Sequence, residues 1–152
     1  MRRVTPDQAG ARRLADLELA AFPDRTTTRA PEDFIWFANR PDALVLADED
    51  LSRGFLLIQF AAGEGEIHDI GVHPDVRRNG LGRALVQEAI ETARQHEATQ
   101  LFLEVGVHNT PALALYAATG FLEVGRRKGY YLLPEGTRSD ALIMSIPVPR
   151  AA

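Results

Sequence analysis

Residues Arg77-Arg78-Asn79-Gly80-Leu81-Gly82-Arg83-Ala84 have the types and the spacing to bind an anion. A strand-like stretch, Ile67 to Val72, precedes them. An amphipathic run follows, with Leu81, Ala84, Leu85, Ala89, Ile90 and Ala93 at helical spacing. A Gly-rich turn that opens a helix leaves backbone N–H groups free and convergent, and the helix dipole favours negative charge there. Gly80 and Gly82 carry no Cβ, so a bulky anion can approach the backbone. The expectation is a pyrophosphate cradle. Asn-Gly alone is a common tight turn; the position between strand and helix is what lifts this one above a turn. No third Gly follows at the dinucleotide-fold spacing, and no Gly-Lys-Ser/Thr follows as in a P-loop.

Three further features lie downstream. Glu104 interrupts the apolar strand Leu101-Phe102-Leu103-Glu104-Val105. A buried carboxylate must be paired, neutralised or functional, and burial would raise its pKa towards that of a usable base. Pairing with an Arg is the structural alternative. Asn109, in His108-Asn109-Thr110-Pro111, can cap the next helix or bind a ligand amide. Tyr116 lies on that helix, where the structural reading is a packing aromatic with a satisfied hydroxyl. Glu66, opening the strand before the cradle, is the rival base. His68 and Asp69 alternate along that strand and are expected on opposite faces. His73, His96 and His108 are scattered without ligand spacing, so no metal is expected. Arg126-Arg127-Lys128 reads as a hairpin charge run, and Tyr130 and Tyr131 as strand aromatics or groove residues.

Composition bounds the class. The 152 residues suit one domain, 1–152, with a sizeable core. A net charge of -4 gives no reason to expect a nucleic-acid binder. The chain has no Cys, so disulfides, thiolate metal sites and a covalent Cys intermediate are excluded. Met1 to Pro6 lacks an apolar signal region and no run is long enough to span a membrane, so the cytoplasm is the expected location.

The elements that must position these groups follow from periodicity and punctuation. Arg2 to Val4 reads as a short edge strand. Thr5 is a candidate N-cap, with Pro6 at the first position of a helix that uses Leu14, Leu17 and Ala21 and ends at Pro23. Residues 24 to 30 are an aperiodic loop, and Pro31 to Asn39 a short helix. Strands are expected at Ala43 to Ala47, Gly54 to Ala61 and Glu66 to Val72, with a turn at Gly63-Glu64-Gly65. A helix from about Gly80 to Gln95, the strand Leu101 to Val105 and a helix over Thr110 to Thr119 come next. Phe121 to Val124 and Ala141 to Ile146 give the last strands. Antiparallel strands followed by two crossover helices predict an α/β architecture, a mixed sheet with helices on both faces.

With Asn109 to Phe121, Asn-x-x-Ala-x-x-Leu-Tyr-x-x-x-Gly-Phe, the Arg77 to Arg83 turn makes a two-motif pattern that resembles the GNAT acetyltransferases over about residues 43 to 147. Within them, Leu103-Glu104-Val105, Leu115-Tyr116, Arg126 to Tyr131 and Asp140 to Met144 resemble the RimI family, which acetylates the N-terminal alanine of a small-subunit ribosomal protein. The chain departs from that family at Gly106, where Arg is common, and over the first forty residues. The resemblance implies a largely antiparallel twisted sheet of about seven strands, splayed between the fourth and fifth. It implies acetyl-CoA as co-substrate, bound by Ile70, Gly71, Val72, Arg77, Arg78, Asn79, Gly80, Leu81, Gly82, Arg83 and Asn109. Glu104 would be the general base and Tyr116 the general acid. The acceptor would be a peptide or protein N-terminus, with no nucleic-acid or membrane partner. A GNAT acting on a small amine (amino acid, polyamine or aminoglycoside) and a non-catalytic acetyl-CoA-binding module are the competing readings.

The reaction fits these roles. A protein α-amine has a pKa near 8 and must lose a proton before it attacks. The thioester oxygen gains negative charge and needs an N–H donor, for which Val72 is the candidate. A Tyr hydroxyl suits the departing thiolate.

Overall fold

Every residue of β2, Ala43–Ala47, is buried, as a central strand covered on both faces requires. Its alternation divides the core. Leu44 and Leu46 face one apolar cluster, Val45 and Ala47 the other. In the computed structural model, which describes residues 1–150, one seven-stranded sheet runs in the order β1-β2-β3-β4-β5-β7-β6. The other strands are β1 (Arg2–Val4), β3 (Gly54–Ala61), β4 (Glu64–Val72), β5 (Gln100–Gly106), β6 (Leu122–Leu132) and β7 (Arg138–Pro147). All neighbours are antiparallel except β4 and β5.

Helices cover both faces, as expected. Helices α1 (Gln8–Ala21) and α2 (Pro31–Ala38) pack on one side through Leu14, Leu17 and Phe34. Phe34 meets Phe55 edge-on at 5.6 Å, both fully buried. Burying each such ring contributes about 1.5–3 kcal/mol. Helices α3 (Leu81–Gln95) and α4 (Thr110–Ala118) cover the other side through Leu85, Val86, Ala89 and Tyr116.

Two features of β4 shape the site. Ile67 faces Ile58 and Asp69 faces Leu57, so His68 is an extra residue, a bulge. In addition, β4 pairs with β5 only from Glu64–Ile67 to Gln100–Leu103. Beyond that, β4 stays with β3 as far as Val72, while β5 stays with β7 as far as Gly106. The sheet therefore opens into a V between the fourth and fifth strands, where the splay was expected.

Some boundaries differ from the sequence reading. Asp7, not Thr5, caps α1; its carboxylate accepts the Gly10 N–H at 2.8 Å, and Pro6 lies outside the helix. A carboxylate at the N-terminus also answers the helix dipole. The β3–β4 turn is tighter than expected, with Ala62 and Gly63 both at positive φ and Glu64 already in the strand. β6 does not stop at Val124. It runs on to Leu132, so Arg126-Arg127-Lys128 lies within a strand. It is an edge strand held by its ladder to β7, so solvent-facing residues need no apolar alternation.

Candidate active site

The expected cradle lies where the turn meets α3. Gly80 is the N-cap at φ 80°, with no side-chain cap, and Arg78 also has positive φ. The first backbone donor of the helix engaged by a carbonyl is Ala84 N–H, to Gly80. Among the described residues, the N–H groups of Leu81, Gly82 and Arg83 have no hydrogen-bond acceptor. A Cβ on Gly80 would meet nothing within 4 Å. The two glycines differ, however. A Cβ on Gly82 would lie 3.2 Å from Leu115 Cδ2, so Gly82 also serves the α3–α4 contact, whereas the space beside Gly80 is open.

Arg77 acts as a brace. Its Nε donates to the Val72 carbonyl at 3.1 Å and its Nη2 to the Ala21 carbonyl at 2.7 Å. Arg78 and Asn79 are exposed, and Arg83 reaches the Ala118 carbonyl at 3.5 Å. Asn109 caps α4, its side-chain oxygen accepting the Ala112 N–H at 3.3 Å. Asn109 therefore serves as the cap through its side-chain oxygen, which leaves its amide NH2 for a ligand.

Ile70, Gly71 and Val72 line the β4 arm of the V. His73 N–H donates to Arg53 at 2.7 Å. By antiparallel alternation, Ile70 and Val72 then turn their backbone groups away from β3, into the opening. The Ile70 N–H donates to Asp69 Oδ1 at 3.0 Å. The Val72 N–H has no such partner among the described side chains. Gly71 is demanded by packing: a Cβ there would lie 2.5 Å from Phe55 Cε1.

On the β5 arm, Glu104 does not sit in an apolar interior as its strand context suggested. Its side chain is 26% exposed and its Oε1 lies 2.9 Å from Arg127 Nε. The Arg pairing comes from β6, across β7, a contact that spans too much sequence to be read from the strand alone. Tyr116 is 5% exposed and packs edge-on to Phe121 at 5.7 Å. Burial pushes its hydroxyl well above the ordinary phenol range, with nearby Asp69 and Tyr131 adding to the shift. Glu66 is exposed and lies on the zipped part of β4, before the V opens.

Of the residues beside this opening, sequence reasoning offered His68, Asp69 and Tyr131 as groove candidates and missed Glu18, Arg25 and Arg29. A cavity of about 470 Å³ is lined by Glu18, Arg25, Arg29, His68, Asp69 and Tyr131, among others. Arg25 binds Asp69 through both Nη atoms at 2.7 and 2.9 Å, and Glu18 at 3.1 Å. Arg29 bridges the same two carboxylates at 3.1 and 2.7 Å. This quartet ties the α1–α2 loop to β4. The signal was Glu18, one turn after Leu14 on the buried face of α1: a carboxylate there needs cations. His68 and Asp69, expected on opposite faces, both line this cavity, because the bulge at His68 breaks the alternation.

Among the described residues no three His, Asp or Glu side chains are grouped to hold a metal ion, and no helix is long and apolar enough to cross a membrane.

Known proteins share both the sequence pattern and the architecture. The acetyltransferase (GNAT) family model matches residues 11–121. The chain is 39% identical over 94 residues to the ribosomal protein bS18-alanine N-acetyltransferase of Escherichia coli K12; the match covers 62% of this chain and 63% of that protein. It is 38% identical over 116 residues to the streptothricin acetyltransferase of Streptomyces lavendulae, covering 73% of this chain and 59% of that one. The match to each of these two relatives thus spans somewhat less than two thirds of the relative's length. The crystal structure of the Escherichia coli ribosomal-protein-S18-alanine N-acetyltransferase superposes with a TM-score of 0.81 at 28% identity, over 99% of this chain and 96% of that one.

Proposed function

Because the chain belongs to the GNAT acetyltransferase family, we propose that it transfers acetyl from acetyl-CoA to a protein N-terminal α-amine, that of an N-terminal alanine on a small-subunit ribosomal protein. The observation that carries this reading is the V between β4 and β5, with the open helix start at Gly80 beside one arm and Glu104 on the other. The name of the Escherichia coli relative supports the acceptor.

Acetyl-CoA supplies the activated acetyl group. The free N–H groups of Leu81, Gly82 and Arg83, with Arg78, Asn79 and Arg83 side chains at the rim, suit its pyrophosphate. Ile70 to Val72 offer backbone groups along the opening, and Asn109 holds the start of α4 against it. The Val72 N–H is a donor for the oxygen that gains charge during transfer. Glu104 takes a proton from the incoming amine, directly or through water. Tyr116, kept protonated by its burial, returns one to the departing thiolate. Holding both substrates in one opening supplies much of the rate through proximity. An α-amine ionises roughly two to three units below a lysine amine, so a carboxylate deprotonates it more easily.

The similarity to streptothricin acetyltransferase favours one second reading, a small amine as acceptor. A panel of N-terminal peptides beside free amines, including streptothricin, decides between them. Mass spectrometry should place acetyl on the α-amine of an alanine-initiated peptide; brisk turnover of a free amine with none of the peptide would select the second reading. Double-reciprocal plots should intersect, because the chain has no Cys to hold an acetyl group.

A further inference from the structure

Gly106 and His108 compete for one space. β5 ends in a turn closed by the Asn109 N–H to the Gly106 carbonyl at 2.9 Å. That turn folds the His108 ring back over the Gly106 Cα. A Cβ on Gly106 would lie 2.2 Å from His108 Cε1 and 2.6 Å from its Nδ1. Any side chain at 106 therefore evicts the imidazole.

The ring keeps an exposed face but has two further contacts. Nδ1 is hydrogen-bonded to Ser139 Oγ at 3.0 Å, and the ring meets Tyr131 edge-on at 5.4 Å. Ser139 and Tyr131 are themselves direct cross-strand partners. They re-establish the β6–β7 ladder just after its register shift between Arg127 and Tyr131. His108 thus grips both members of the pair at the point where β6 has no neighbour beyond it. Tyr131 lines the cavity that also holds Arg25, Arg29 and Asp69.

We propose that His108, seated on Gly106, is a positioning residue that sets the Tyr131 wall of the acceptor groove and thereby acceptor selectivity. This rests on the transferase reading above. The cradle lies on α3 and β4 and makes none of these contacts, so the effect falls on the acceptor and spares acetyl-CoA.

The test is steady-state kinetics on the full chain with the acceptor that the panel identifies. His108→Ala should raise the acceptor KM about tenfold, because the Tyr131 wall loses its support, with kcat and acetyl-CoA affinity within about twofold. Gly106→Ala should reproduce that change by displacing the ring. The double variant should be no worse than either single variant, because both remove the same contact. His108→Phe, which keeps the edge contact with Tyr131, should recover much of the KM. A purely structural role would lower stability without this KM–kcat split or this saturation. An unchanged acceptor KM in His108→Ala, or effects that multiply in the double variant, would overturn the proposal. If the wild type acetylates only free amines, the peptide reading falls, and the same four variants are scored with that amine.

Discussion

Arg127 on β6 reaches over β7 to place its Nε 2.9 Å from Glu104 Oε1 on β5. One member lies at the mouth of the V, and the other is on an exposed edge strand. Glu104→Gln should lower kcat by roughly 10²–10⁴-fold with acetyl-CoA affinity nearly intact. Glu66→Gln, on the zipped part of β4, should do much less. Reversal of these two effects would move the base to the earlier strand. Arg127→Ala should change stability by less than about 1 kcal/mol, since the pair is partly solvated. On the Glu104→Gln background it should change kcat no further.

Tyr116 links the site to alkaline stability. Its ionisation lies above that of an unfolded tyrosine, first because it is buried. From about pH 10 upward the unfolded chain therefore loses this proton before the native one does. The stabilisation is complete below the unfolded value and is lost as pH rises towards the folded one. Urea melts at pH 9 and 11 should show a smaller loss for Tyr116→Phe than for the wild type. The same variant should lower kcat while leaving the fold intact, because the ring is kept. Equal alkaline losses would show that the hydroxyl is not held in its protonated form.

The cradle is best probed at Gly80. Acetyl-CoA should raise the melting temperature by binding only the folded state. Gly80→Asp places a negative charge at the open helix start and meets no neighbour, and Asp tolerates positive φ better than most residues. It should abolish the ligand-induced shift while moving the ligand-free melting temperature by only a few degrees, consistent with about 1 kcal/mol of backbone strain. Gly82→Glu should also abolish it, but with a larger ligand-free loss from the collision with Leu115. A normal shift in Gly80→Asp would remove the anion assignment.

Asp69→Asn tests the clamp on the α1–α2 loop. It leaves Arg25 and Arg29 sharing Glu18 alone. The loss should be about 1–3 kcal/mol, below the range for a fully buried pair because both arginines are about 30% exposed. Acceptor KM should rise while acetyl-CoA affinity stays near the wild-type value. Unchanged denaturant midpoints would show that the loop is held by something else.

The open helix start was legible because its parts are consecutive: a strand, Gly80, and an amphipathic run already name a helix start with free donors. The seven strands and four helices were legible for the same reason, since period and punctuation are local. Their ends were not. Asp7 won the cap over Thr5 through one carboxylate hydrogen bond, and β6 ran past Val124 because its ladder to β7 carries it.

The amino-acid sequence by itself determined the α/β order of elements and the Gly-rich turn that opens α3, because each depends on residues within one or two elements. Glu104 and Tyr116 became acid–base candidates through the resemblance of their motifs to the GNAT family. Tertiary structure alone decided what surrounds them. It set Arg127 against Glu104, locked Arg25 and Arg29 between Glu18 and Asp69, and let a one-residue bulge turn His68 and Asp69 into one cavity. It also explained Gly106, which is empty in sequence but makes room for His108 in space. These relationships join distant strands, and only the register of the sheet brings them within contact distance.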